Sequence, residues 1–105
     1  MNKRTLPPSA ADLAACLREH LPELRKKYAI RSLGLFGSYL RNEQTPESDV
    51  DILLDLDDRQ PMSLLRFIQL ENELSDLLGK RVDLVEKSAL KPVIGQRILA
   101  EVAVL

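Results

Sequence analysis

The sequence predicts an α+β domain in which a small sheet packs against helices. Apolar residues spaced by three and four alternate along the chain with apolar runs of strand length. Polar segments carrying Gly or Pro separate the two kinds. With 105 residues, 45% of them hydrophobic and 30% charged, the chain is large enough for one soluble core.

Met1 to Pro8 reads as a loose tail and residues 9–105 as a single domain. Ser9 is placed to cap a helix whose apolar positions are Leu13, Leu17, Leu21, Leu24 and Tyr28. Pro22 falls inside that pattern and predicts a break or kink, with a second short helix after it. Ile30 to Phe36 reads as a strand ending at Gly37. Asn42 to Glu47, with Pro46, reads as a loop, and Asp49 to Leu56 as the second strand. Asp57 to Pro61 turns the chain into a helix carrying Leu64, Leu65, Ile68, Leu74, Leu77 and Leu78, closed by Gly79. Arg81 to Glu86 reads as a third strand and Lys91 to Leu105 as a last helix.

Composition excludes several functions. A net charge of −1 gives no general attraction to nucleic acid, so direct nucleic-acid binding is not expected. No apolar stretch approaches the roughly 18 residues of a membrane span, and no secretory pattern is present. The lone Cys16 forms no internal disulfide, which fits a reducing cytoplasm. Cys16, beside Leu13 and Leu17, reads as a small core residue, and His20, without a second ligand at metal spacing, as a surface side chain.

The acidic residues carry the chemistry. Asp49 and Asp51 open the second strand directly after Ser48. Side chains two apart leave a strand on the same face. The two carboxylates therefore share one face, and Val50, Ile52, Leu54 and Leu56 share the other. Carboxylates about 4 Å apart repel by roughly 4 kcal/mol at an effective dielectric of about 20. Either one aspartate takes up a proton or a cation neutralises both. Oxygen donors without His or Cys point to Mg²⁺ or Mn²⁺ rather than zinc. The plain alternative is a solvated acidic strand end.

Strand parity selects the third carboxylate. If Val82 and Leu84 join the core, Asp83 emerges on the side of Asp49 and Asp51. Neighbouring strands lie about 4.8 Å apart, close enough to share ions. Glu86 falls on the core face or past the strand end, and Asp55, Asp57 and Asp58 read as surface charge. Gly37 lets an anion approach the backbone. Ser38 is placed to cap a short helix and offer its hydroxyl and N–H, with Arg41 three residues on along the same helical face. Alone, that Gly-Ser pair is as readily an ordinary turn. No P-loop competes, because Gly79-Lys80 lacks the upstream Gly and the following Ser or Thr.

Together, Phe36-Gly37-Ser38-Tyr39-Leu40-Arg41, Ser48-Asp49-Val50-Asp51-Ile52 and Val82-Asp83-Leu84-Val85 closely resemble the minimal nucleotidyltransferase family. These are small members of the DNA polymerase β-like nucleotidyltransferase superfamily, many of them antitoxins paired with HEPN-domain toxins. The resemblance runs from about the first strand to the last helix. One position departs from it: Asn42 stands where the family often has Gly, and Asn also tolerates a left-handed turn.

The resemblance implies a polymerase β palm-like fold with a small mixed sheet. It implies Asp49, Asp51 and Asp83 as catalytic residues holding two Mg²⁺ ions, with Mn²⁺ as a substitute. Gly37, Ser38, Arg41 and Ser48 then form the nucleotide-binding set for ATP. AMP passes to an acceptor hydroxyl and pyrophosphate leaves. Almost all of the chain is spent on sheet, helices and site, so the acceptor is expected on a partner, a HEPN ribonuclease toxin modified on tyrosine. Leu90, Ile94, Ile98, Val102 and Leu105 form a stripe on the last helix, read as core except for its final residues, which would mark an interface. Neutralisation by contact alone, and transfer to a small molecule or RNA, are the competing readings.

Overall fold

The computed structural model describes residues 6–57 and 62–105. Asp58 and most of the turn leading to Pro61 lie outside the described residues. The first helix, α1 (Pro8–Lys27), is entered through Pro7 rather than capped by Ser9, whose hydroxyl accepts a 2.8 Å bond from Gln44 Nε2. Proline suits a first helical turn, where its missing N–H has no partner in any case. Leu6 already packs on the core, so the described end of the expected tail is part of the domain.

The expected break at Pro22 does not occur. Helix α1 runs unbroken through it, with Ala10, Leu13, Ala14, Leu17, Leu21 and Leu24 buried along one side. Pro22 and Arg18, whose carbonyl loses its i+4 donor, are both exposed, so water can satisfy that oxygen. The buried stripe on either side of Pro22 holds the helix together.

Four strands form one mixed sheet in the order β3-β2-β1-β4. They are β1 (Ile30–Phe36), β2 (Val50–Leu56), β3 (Val82–Glu86) and β4 (Ala103–Val104). β1 runs antiparallel to β2 and β4, and β2 parallel to β3. Between β1 and β2 lies a one-turn helix, α2 (Ser38–Arg41), and between β2 and β3 lies α3 (Leu64–Leu78). α4 (Pro92–Glu101) precedes β4.

The sheet is covered unequally. Leu33 and Leu35 of β1, Val50, Ile52 and Leu54 of β2, and Val82 and Leu84 of β3 join the α1 and α3 residues in the main core. On the opposite face Phe36, Leu53 and Val102 make a smaller cluster, flanked by Val85, Leu90 and Ile98. Odd-numbered β2 and β3 residues point to that second face, as the parity argument requires.

Two apolar stripes differ from expectation. In α3 only Leu70 and Leu74 are buried, while Leu64, Leu65 and Ile68 are exposed, because the contacts of this helix with the core begin at Phe67. The last helix ends at Glu101, and Ala103 and Val104 pair with Leu35 and Gly34 as an edge strand. Gly34 permits that docking, since a Cβ there would stand 2.5 Å from Val102 Cγ2. Val102 is therefore core rather than interface, and Ile94 of the same stripe is exposed.

α3 also seals the other sheet edge. The β3 N–H groups of Val82 and Leu84 donate to Ser75 Oγ at 3.1 Å and to Glu71 Oε2 at 2.9 Å. An open edge would offer those donors to another chain. Capped this way, β3 holds Asp83 in place.

Candidate active site

Asp51 and Asp83 are Cα partners across the parallel β2–β3 pair. They leave the sheet on the same face, away from the main core, as the sequence predicts. Burial, Asp83 and Asp49, in that order, push the Asp51 carboxyl up to about 6. Asp49 sits just before β2. Its Oδ1 is shut from solvent without a hydrogen-bond partner, although Arg81 Nε stands 2.7 Å away. That contact is close but poorly aimed, so one aspartate oxygen is desolvated and held only by charge.

Gly37 ends the approach to this face. Its φ of 82° and ψ of −155° place it outside the range comfortable for L side chains. A Cβ there would overlap Oδ2 of Asp51 and come within 2.8 Å of its Cγ. Gly37, rather than Ser38, is the N-cap position of α2, and Ser38 is its first residue. The short helix closes on Asn42 at φ 59° and ψ 39°, so asparagine supplies the left-handed residue expected there. Ser48 accepts from the Thr45 N–H at 2.9 Å and closes the loop ahead of Asp49, with its hydroxyl committed to that turn.

Arg41 is brought to the same place by a residue the sequence reading missed. Glu101 Oε1 accepts from the Gly37 N–H at 2.6 Å and from Arg41 Nη1 at 2.9 Å. Arg41 Nε also donates to Glu43 at 2.7 Å. Glu101 is the only acidic residue after Glu86, an isolated charge in an apolar stretch, and that isolation was the available signal. A cleft of about 710 Å³ opens here, lined by Gly37, Arg41 and Asp51 on one side and by Ile94, Arg97, Ile98 and Glu101 on the other.

The donors fit a hard divalent cation. They are all carboxylate oxygens. Asp49 Oδ1 is shut from solvent and met only by the poorly aimed Arg81. Asp51 is pushed up to about 6 by burial and then by the charges of Asp83 and Asp49, which a cation would relieve. They are not a closed cage: among the described residues no three acidic, His or Cys side chains form one. Magnesium commonly takes one or two carboxylates and completes its shell with water and substrate phosphate.

Known proteins resemble this chain in sequence and fold. The nucleotidyltransferase domain family matches residues 17–104. Protein adenylyltransferase MntA of Thermococcus cleftensis is 48% identical over 91 residues, covering 87% of this chain and 90% of that protein. A Methanocaldococcus jannaschii protein assigned as a protein adenylyltransferase is 50% identical over 80 residues, covering 76% and 80%. A solved structure assigned as a minimal nucleotidyltransferase superposes with a TM-score of 0.74 at 32% identity, over 90% of this chain and 94% of that one. A toxin–antitoxin crystal structure with AMP-PNP superposes with a TM-score of 0.65 at 25% identity, over 88% and 68%. With the mixed sheet, the Gly-Ser turn and the paired aspartates in place, the chain belongs to the nucleotidyltransferase domain family, among its minimal members.

Proposed function

We propose that this chain is a metal-dependent protein adenylyltransferase and the antitoxin of a toxin–antitoxin pair, moving AMP from ATP to a tyrosine hydroxyl of a HEPN ribonuclease. The observation that carries the reading is the Asp51–Asp83 pairing beside Gly37 and Arg41. The names of the relatives support the protein acceptor, and the AMP-PNP complex supports the nucleotide.

Asp49, Asp51 and Asp83 are the residues to hold two Mg²⁺ ions, or Mn²⁺ in their place. Bound there, the metal supplies Lewis acidity to the phosphates and lowers the pKa of the attacking hydroxyl. The Gly37 N–H, the Ser38 hydroxyl and Arg41 bind the β- and γ-phosphates and hold the α-phosphorus facing the aspartates. Asp83, on the exposed side of the pair, receives the acceptor proton. The acceptor oxygen forms its bond to the α-phosphorus as the bond to pyrophosphate breaks, in line. Ser48 contributes through the loop it closes ahead of Asp49.

The acceptor arrives on the partner, because the sheet, its helices and the site take up nearly all of the described residues. Ile94 is exposed at the cleft, and Val93, Leu99 and Val104 are exposed elsewhere on α4 and β4, apolar side chains for such a partner to cover. The test mixes the full chain with Mg²⁺, α-labelled ATP and the product of its neighbouring gene. Label on that product, lost when Asp49 or Asp51 becomes Ala, supports the proposal. Inhibition that survives both substitutions without label favours neutralisation by contact. Label found only on RNA or on a metabolite assigns a different acceptor.

A further inference from the structure

Glu101 occupies the place that the proposed function gives to phosphate. Its carboxylate accepts from the Gly37 N–H at 2.6 Å and from Arg41 Nη1 at 2.9 Å and 3.1 Å through its two oxygens. A carboxylate and a phosphate offer such donors the same thing, oxygens sharing negative charge.

Two features oppose an acid at this position. Glu101 ends α4, and the C-terminal end of a helix carries partial negative charge that disfavours a carboxylate. It also faces Asp51, another acid. The bonds from Gly37 and Arg41 hold Glu101 against both, so these donors form a working anion cradle in the free protein. The neighbouring backbone is fixed, because Val102 is buried and Ala103 pairs with Leu35. With that backbone held, clearing the cradle falls to the Glu101 side chain, which would have to leave Gly37 and Arg41. Arg97 lies one helical turn earlier on the same face and lines the same cleft, so a released carboxylate has a cation within reach.

We propose that Glu101 is a phosphate placeholder, a specificity residue that keeps the Gly37–Arg41 cradle filled and yields it to a triphosphate or pyrophosphate group but not to a nucleoside monophosphate. Filling the cradle keeps Arg41 poised and excludes weakly charged competitors. This inference rests on the nucleotidyltransferase reading above.

The test measures binding of ATP, pyrophosphate and AMP to the full chain in Mg²⁺, comparing wild type with Glu101→Gln. Glutamine keeps the shape and loses the charge. ATP and pyrophosphate should bind Glu101→Gln about three- to tenfold more tightly, the range expected for losing a partly exposed ion-paired competitor. AMP, lacking the outer phosphates, should bind both proteins alike. In wild type, ATP should shift the Gly37 amide resonance, and melting curves check that the variant is folded. Equal or weaker ATP binding by a folded Glu101→Gln, or a gain of the same size for AMP, overturns the placeholder while leaving the nucleotidyltransferase reading intact. A Gly37 amide that stays unmoved while ATP binds overturns it in the same way. Failure of wild type and variant alike to bind ATP or pyrophosphate overturns both.

Discussion

Gly37 and Asp51 are packed so closely that a side chain on the first would displace the carboxylate of the second. The turn and the acid are therefore one unit. At Gly37 a positive φ that glycine adopts freely brings a backbone N–H and the Asp51 carboxylate together, from strands that are neighbours in the sheet.

Gly37→Ala is expected to lose stability and transfer together. The left-handed φ alone costs about 1–2 kcal/mol, and the displaced Asp51 removes a carboxylate from the site. Urea denaturation and a labelled-ATP assay on the same preparation check both.

Asp51 sets a pH dependence. Its carboxyl is raised from 3.8 to about 6 in the folded chain, chiefly by burial. Between those values the folded state keeps a proton that the unfolded state has lost. Stability from this group is therefore present at low pH, falls as pH rises through that window, and is level above it. The melting temperature of Asp51→Asn should rise relative to wild type across the window and stay higher beyond it. Mg²⁺ should raise the wild-type melting temperature more above the window than below, and should have little effect on Asp51→Asn.

Glu71 shapes the site without touching it. Glu71→Ala leaves the buried-edge N–H of Leu84 without its acceptor, an expected loss of about 1–3 kcal/mol. Because β3 carries Asp83, transfer should fall as well. Calorimetry gives the first effect and label incorporation the second.

Pro22→Ala is expected to stabilise the chain. It restores an N–H inside an unbroken helix on an exposed face. The gain should be about 1–3 kcal/mol, visible as a higher midpoint in urea with unchanged transfer.

Much of this site was legible in the sequence because strand parity is rigid. Once Val82 and Leu84 are assigned to the core, Asp83 has only one face to take, and the structure pairs it with Asp51. Periodicity served less well where tertiary contacts override it. Pro22 reads as a breaker, but the buried leucines around it keep α1 whole. Val102 continues the helical spacing of Ile94 and Ile98, so nothing local separates a last helical turn from the short strand that pairs beyond it. The role of Glu101 was hidden for a different reason, although its isolation among acids marked it. Its partners, Gly37 and Arg41, lie more than half the chain away, and only the docking of β4 against β1 brings them together.

The most direct test of the three-carboxylate site is the rate of AMP transfer from ATP by Asp49→Asn, Asp51→Asn and Asp83→Asn, each alongside its melting curve. Each variant should lose at least about a hundredfold in rate while melting at or above the wild-type temperature. A folded Asp83→Asn that transfers AMP at the wild-type rate would contradict the account.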